Sequence, residues 1–157
     1  MDIKIERAEI SEAEILVTIY RDAYSENEKL GFPASASRAS INEVEEWMKS
    51  TILLTAKELV TNSTIGTVRL KYSEDWKCYV LGRLAIISIY KGRGIATKLM
   101  EYTENELLIM GEQVVRLTVA KNHPFLTKMY QKKGYKIIGD RLLNDLSFDE
   151  IIMEKSL

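Results

Sequence analysis

The stretch "YKGRGIATKL", Tyr90 to Leu99, joins an apolar run to a segment of helical periodicity through two closely spaced glycines. Strand, glycine turn and helix is the layout in which free backbone amides and the positive end of a helix face an anion. Glycine suits such a turn because a β-carbon would keep the backbone from closing on phosphate oxygens. Lys91, Arg93 and Lys98 add positive charge around it. Two phosphate-binding patterns fail on residues. Counting from Gly92, both a Walker loop and a dinucleotide fingerprint require a glycine where Thr97 stands. The dinucleotide pattern also wants an acid at the end of the next strand, and "LTVAK" offers none.

The rest of the chain narrows the setting. Its 157 residues suit one domain over 1–157. A 46% hydrophobic and 29% charged composition is that of an ordinary globular chain. Lys+Arg 22 against Asp+Glu 23 gives a net charge of -1, so no global field draws in nucleic acid or an anionic membrane, and phosphate binding must be local. Cys78 as sole cysteine excludes an internal disulfide and a cysteine metal cluster, and His123 as sole histidine argues against a histidine-rich metal site or a Ser-His-Asp triad. "MDIKIERAEI" alternates apolar and charged residues and lacks the apolar core of a signal peptide. No apolar run approaches membrane-spanning length, so a cytoplasmic protein is expected, with no metal, no nucleic acid and no membrane partner.

Periodicity gives the element order. "DIKIER" reads as a strand. Ser11 to Glu14 reads as a capping box opening a helix with Ile15, Leu16, Ile19 and Ala23 on one face. "GFPASASRAS" reads as a loop, followed by a helix with Ile41, Val44 and Met48 inward. "TILLTAKE", "TIGTVRLKY" and "KCYVLGRLAIIS" read as an antiparallel meander. The helix after the glycine turn carries Ala96, Leu99, Met100, Thr103, Leu107 and Met110 inward and stops at Gly111. "VVRLTVA" is a strand, a short helix runs from Pro124 to Gly134, and "YKIIGD" and "FDEIIMEK" are strands. The order β-α-α-β-β-β-α-β-α-β-β predicts a mixed α/β layer.

Lys91 to Ala96, K-G-R-G-I-A, resembles the acyl-CoA pyrophosphate loop of the GNAT superfamily of N-acetyltransferases, Q/R-x-x-G-x-G/A. Gly94 and Ala96 match, while Lys91 keeps the charge of the first position without the planar fork. "GRLAII" resembles the fourth strand that leads into that loop, and "NHPFLTKMYQKKGYKIIG" resembles the asparagine, helix, tyrosine and strand entry that follow it in the family. The resemblance covers Thr64 to Gly139 and, through element order, nearly the whole chain; the first two helices match in position only. It implies a central mixed, mostly antiparallel twisted sheet of about seven strands flanked by four helices, with a V-shaped opening between strands four and five.

The resemblance further implies that acetyl-CoA is the acyl donor. Its pantetheine arm would pair with backbone at Leu84, Ala85 and Ile86, and its pyrophosphate would sit on the loop Lys91, Gly92, Arg93, Gly94, Ile95, Ala96 and Thr97. Attack of an amine on a thioester needs a neutral amine, an oxyanion donor and a proton for the thiolate. The resemblance points to the amide near Ile86 for the oxyanion and to Tyr130 as general acid. Asn122 stands eight residues before Tyr130, against seven in the commoner pattern, and is either a pantetheine contact or a turn residue. No glutamate stands in the fourth strand, so the base is a distant acid, a water chain or bulk solvent. His123 before Pro124 reads as a solvent-facing cap, Arg83 as an orienter of an acidic acceptor or a surface pair, and Cys78 as a small strand hydrophobe. Trp47 and Trp76 read as core or rim packing, with the wall of an acceptor pocket as the alternative. The implied partner is a small-molecule or peptide amine; Glu26, Glu28 and Asp145 would favour a cationic one, and a homodimer is compatible with the reading. An acyl-CoA-binding module without catalysis, and a nucleotide binder, are the competing functions.

Overall fold

Leu53 and Leu54 are both buried, yet they belong to different cores, because successive strand residues point to opposite faces of a sheet. That sheet has apolar material on both sides. The computed structural model describes residues 1–32, 34–142 and 148–157. Its strands are β1 (Ile3–Arg7), β2 (Ile52–Glu58), β3 (Ser63–Ser73), β4 (Cys78–Ile86), β5 (Val114–Ala120), β6 (Lys136–Arg141) and β7 (Glu150–Ser156). They form one seven-stranded sheet in the order β1-β2-β3-β4-β5-β7-β6. Every neighbouring pair is antiparallel except β4 and β5, which run parallel.

The helices are α1 (Ala13–Ala23), α2 (Ser25–Lys29), α3 (Ile41–Ser50), α4 (Ile95–Ile109) and α5 (Leu126–Lys132). Four were expected; α2 is an additional short helix between α1 and the stretch read as loop. On one face α1 and α3 bury Leu16, Ile19, Tyr20 and Val44 with Leu53 and Ala85. On the other, α4 and α5 bury Leu99, Met100, Leu107 and Tyr130 with Leu54, Val68 and Met153. A parallel pair needs a crossover between its strands, and α4 supplies it. Its C-terminus closes as the glycine predicted: Gly111 has φ +88, its amide bonds Leu108 carbonyl at 3.0 Å, and Glu112 amide bonds Leu107 carbonyl at 2.9 Å. Among the described residues no helix is long and apolar enough to cross a membrane.

The pairing of β4 with β5 is brief. Only Tyr79 with Val115 and Val80 with Arg116 are in register, after which the strands part. On its other side β4 stays with β3 as far as Ile86, through a bulge: Arg69 faces Gly82 and Thr67 faces Ala85, leaving one extra residue on β4. Arg83 in that bulge has φ +49. A bulge bends the strand that carries it, and here it follows directly on the end of the β5 pairing. The expected V-shaped opening is therefore present.

Several local expectations are corrected. The cap before α1 lies two residues earlier than Ser11: the Glu12 carboxylate accepts the Glu9 amide at 3.0 Å and a one-turn 3-10 helix, Ile10–Glu12, precedes α1. Glu12 is buried because it also accepts Thr64 Oγ1 at 3.0 Å and pairs with Lys57 at 3.7 Å, so contacts across the sheet fix where the helix begins. The capping box of α3 is made by Ser40 and Glu43, which the sequence reading did not single out. Ile15, Ile41 and Met110 are exposed rather than inward. Ile41 and Met110 sit at the ends of their helices, beyond the sheet surface that covers Val44 and Leu107.

The two-faced core sets a testable contrast on α4. Leu107 is fully buried and Ile109 is 73% exposed. Leu107→Ala is expected to cost about 2–5 kcal/mol, whereas Ile109→Ala should stay within about 0.5 kcal/mol. Urea unfolding of both variants, with an unchanged slope, checks this.

Candidate active site

The divergence of β4 and β5 opens a cavity of about 1070 Å³. Leu84, Ala85 and Ile86 line one wall and Leu117 to Ala120 the other. Beyond Val80, β4 has no strand partner on this side, so its backbone edge is open to an added strand. Tyr24, at the end of α1, reaches across to donate its hydroxyl to the Leu84 carbonyl at 2.8 Å. Burial pushes the Tyr24 hydroxyl far above its usual range, so it remains a donor.

At the mouth, Gly92 and Gly94 both have φ +80, a conformation that glycine adopts without strain. A β-carbon on either would meet nothing within 4 Å, so the space over this backbone is free. Gly94 caps α4 and its carbonyl accepts Lys98 amide at 3.1 Å, the first bond of the helix. The amides from Gly92 to Thr97 meet no acceptor among the described residues. No acid lies in the first turn of α4, so the field of a fifteen-residue helix is not offset there.

The basic side chains around the turn are arranged differently from the sequence reading. Lys91 donates to the Ala23 carbonyl at the end of α1, 3.3 Å away. Arg93 lies 5.1 Å over the Tyr90 ring, and Tyr90 bonds Glu58 at 3.0 Å. Lys98 points to the β1 side, where it borders a shallow hollow with Met1, Asp2 and Ile3. Lys133 takes its place, donating to Thr97 Oγ1 at 2.6 Å. Its position before Gly134 in "QKKGY" carried no signal that it would reach back to α4.

Tyr130 on α5 is buried, lines the cleft and stands edge-on to Tyr135 with ring centroids 5.9 Å apart. Its hydroxyl bonds no described residue, and burial pushes it up to about 12. Asn122 is exposed in the turn after β5 with φ +68 and is not among the residues lining the cleft. His123 does cap α5, Nδ1 accepting from the Phe125 and Leu126 amides at 3.4 Å each, but it is buried rather than solvent-facing. Phe32 and Phe125, with ring centroids 5.3 and 4.6 Å away, enclose it. Two amides on Nδ1 leave the proton of the neutral ring on Nε2, facing Asn27 Oδ1 at 3.4 Å. Desolvation holds its pKa below the usual histidine range.

On the α1 side of β4 stand Arg69 and Arg83. The Arg83 guanidinium stacks 4.0 Å over Trp47 and donates Nη1 to Ser35 Oγ at 3.4 Å. Neither arginine pairs with a carboxylate among the described residues, which corrects the alternative of a surface pair for Arg83. Trp47 thus packs between Arg83 and Tyr20, and Trp76 lies on the rim of the cleft with Arg116 5.4 Å over its ring. Cys78 is buried, which raises its thiol pKa. Glu28 is held by Ser37 Oγ at 2.6 Å and Arg38 at 3.0 Å, so it shapes the loop instead of facing an acceptor; Glu26 lines the cleft. Asp145 lies outside the described residues. The other carboxylates on the cleft are Glu74, Asp75 and Glu150, and β4 carries none, as its sequence requires.

A family model for the acetyltransferase (GNAT) domain matches residues 11–157. Two curated proteins of Bacillus subtilis are similar. An S-alkylcysteine N-acetyltransferase is 26% identical over 136 residues, covering 83% of this chain and 76% of that protein. An S-(2-succino)cysteine N-acetyltransferase is 26% identical over 135 residues, covering 83% and 82%. Among solved structures, the PaiA N-acetyltransferase of Thermoplasma acidophilum, in complex with coenzyme A, superposes with a TM-score of 0.82 at 20% identity over 100% of both chains. An N-acetyltransferase of Staphylococcus aureus does so with a TM-score of 0.78 at 16% identity over 99% of each. With a family match over nearly its whole length, a sheet parted between β4 and β5 and a glycine turn of free amides, this chain belongs to the GNAT acetyltransferase family.

Proposed function

We propose that residues 1–157 form one acyl-CoA N-acyltransferase domain that moves the acetyl group of acetyl-CoA onto a primary amine of a small molecule. The observation that carries this is the run of amides from Gly92 to Thr97, without acceptors, at the mouth of a cleft whose β4 edge is unpaired. These residues fit a pyrophosphate joined to an extended arm: Gly92, Arg93, Gly94, Ile95, Ala96 and Thr97 would hold the anion, with Lys91 and Lys133 beside it. Backbone at Leu84, Ala85 and Ile86 would take the arm as an extra strand. Asn122, on its exposed left-handed turn, is assigned to the turn and not to the arm. Such a donor, when bound, supplies an activated thioester.

The amine nitrogen forms its bond to the carbonyl carbon as the carbon–sulfur bond breaks. The amide near Ile86 is the donor assigned to the oxyanion. Tyr130, kept protonated by burial, holds a proton for the departing sulfur at Oη. With no carboxylate on β4, the amine gives up its proton to solvent in the open cleft. The two Bacillus subtilis relatives are named for cysteine derivatives, which supports a small amine as acceptor. A single buried cysteine and no membrane-crossing helix among the described residues fit a cytoplasmic setting. The missing β4 carboxylate also favours a second reading, an acyl-CoA-binding module without turnover.

Thiol release from acetyl-CoA over an amine panel separates the two. Turnover on any primary amine supports the enzyme, and saturable acetyl-CoA binding with no turnover on all of them supports the module. Two variants test the roles. Gly94→Val places a branched side chain at φ +80 and into the space over the turn. It should cost stability by about 1–2 kcal/mol and weaken acetyl-CoA by about tenfold or more, and an unchanged dissociation constant in calorimetry removes the pyrophosphate assignment. Tyr130→Phe keeps the ring packing, so kcat should fall by about a hundredfold with acetyl-CoA binding changed only a few-fold. Full kcat in that variant would reduce Tyr130 to a packing residue.

A further inference from the structure

We infer that Arg69 and Arg83 form a carboxylate-binding subsite, and that the acceptor is an amino acid presenting its amine beside a free carboxylate. The inference rests on the acetyltransfer reading and names the substrate class for it. Both guanidiniums line the cleft, and the Nε of each is buried without a hydrogen-bond partner. Arg83 spends Nη1 on a long 3.4 Å contact to Ser35 and its flat face on Trp47, so its Nε is left over. Arg69 lies across the backbone of β4: its Nη2 is 3.7 Å from where a Gly82 side chain would begin. The two cations oppose each other, and burial together with that repulsion pulls Arg69 down to about 10.

Buried charge without a counter-charge is costly, and native chains seldom keep it. Among the described residues no carboxylate forms an ion pair with either arginine, yet the donor set is one that suits a carboxylate, since a guanidinium fork takes it through paired N–H bonds. A cofactor phosphate is the weaker fit, because the glycine turn and Lys133 stand at the start of α4 while the arginines lie at the bulge of β4. The subsite shares the reaction chamber: Arg69, Arg83, Tyr24 and Tyr130 line one cleft, and the Tyr24 hydroxyl, which feels both arginines and Tyr130, donates to the Leu84 carbonyl. A carboxylate held there sets an attached amine on the side of β4 where the thioester would lie. A peptide N-terminus would offer a neutral amide instead, and so would leave the arginines unpaired.

The test pairs free amino acids with their carboxamides, using S-methyl-L-cysteine, L-methionine, L-phenylalanine and L-glutamate. Thiol release gives kcat/KM, and calorimetry with coenzyme A present gives binding of the corresponding N-acetyl amino acids and N-acetyl amides, which needs no turnover. At least one acid should exceed its carboxamide by about 30-fold or more. Arg69→Gln and Arg83→Gln should each collapse that ratio through a raised acceptor KM, with acetyl-CoA KM unchanged. Arg83→Lys should restore part of it, which a purely structural role would not do. Preference for an N-acetyl acid in binding with no turnover upholds the subsite and sinks the acetyltransferase reading. Amine turnover with equal use of acids and carboxamides, or variants that keep the ratio, overturns the subsite alone. A panel in which no acid outperforms its amide in either assay also overturns it.

Discussion

Hydrogen bonding between β4 and β5 stops after Tyr79 with Val115 and Val80 with Arg116, and the chemistry of the cleft follows from that stop. Parallel strands that stayed together would bury both backbone edges and leave no room for a ligand. Here β4 is held to β3 by a ladder that continues to Ile86, while the extra residue at Arg83 bends it away from β5. The free edge must be satisfied by solvent or by something extended that lies along it. Tyr24 fixes the Leu84 carbonyl, so the edge is shaped in advance.

Two sets of hydrogen-bond donors suited to anions border the cleft of a chain whose net charge is -1. One is made of backbone: the free amides from Gly92 to Thr97 at the start of α4, with Lys133 tied to Thr97. The other is made of side chains: Arg69 and Arg83 on the inner side of the bend. Oriented amides accept an anion of several rotational settings, whereas two guanidinium forks in a shaped chamber favour a planar one. Tyr130 stands in the same cleft with a buried, protonated hydroxyl. The bulge that bends β4 also carries Arg83, so the open β4 edge and the arginine pair proposed for the acceptor share one structural feature.

The glycine turn could be read from sequence because its chemistry is local: Gly92 and Gly94 need positive φ, and six consecutive residues carry the pattern. All seven strands and the four main helices were likewise visible in the alternation of Ile3 and Ile5 and in the spacing of Leu99, Thr103 and Leu107. Asn122, by contrast, matched a motif in order and falls on an exposed turn with φ +68, outside the residues that line the cleft. The Ser11 cap failed for a different reason. Glu12 is drawn into a contact with Thr64 and Lys57 that no local pattern encodes.

Arg69 shows where sequence reading ends. Between Val68 and Leu70 it is an ordinary polar residue of an alternating strand, and nothing local tells whether its face meets water or a cleft. That is decided by α1 packing over the sheet and by a bulge in the neighbouring strand. His123 and Lys133 are similar, one enclosed by Phe32 from a distant loop, the other reaching Thr97 on another helix. The sequence by itself determined the periodicities, the turn and hence the family fold, because those depend on residues a few positions apart. Only the tertiary structure decided which charged groups lose their water and face one another, because desolvation depends on everything packed around a group and not on its neighbours along the chain.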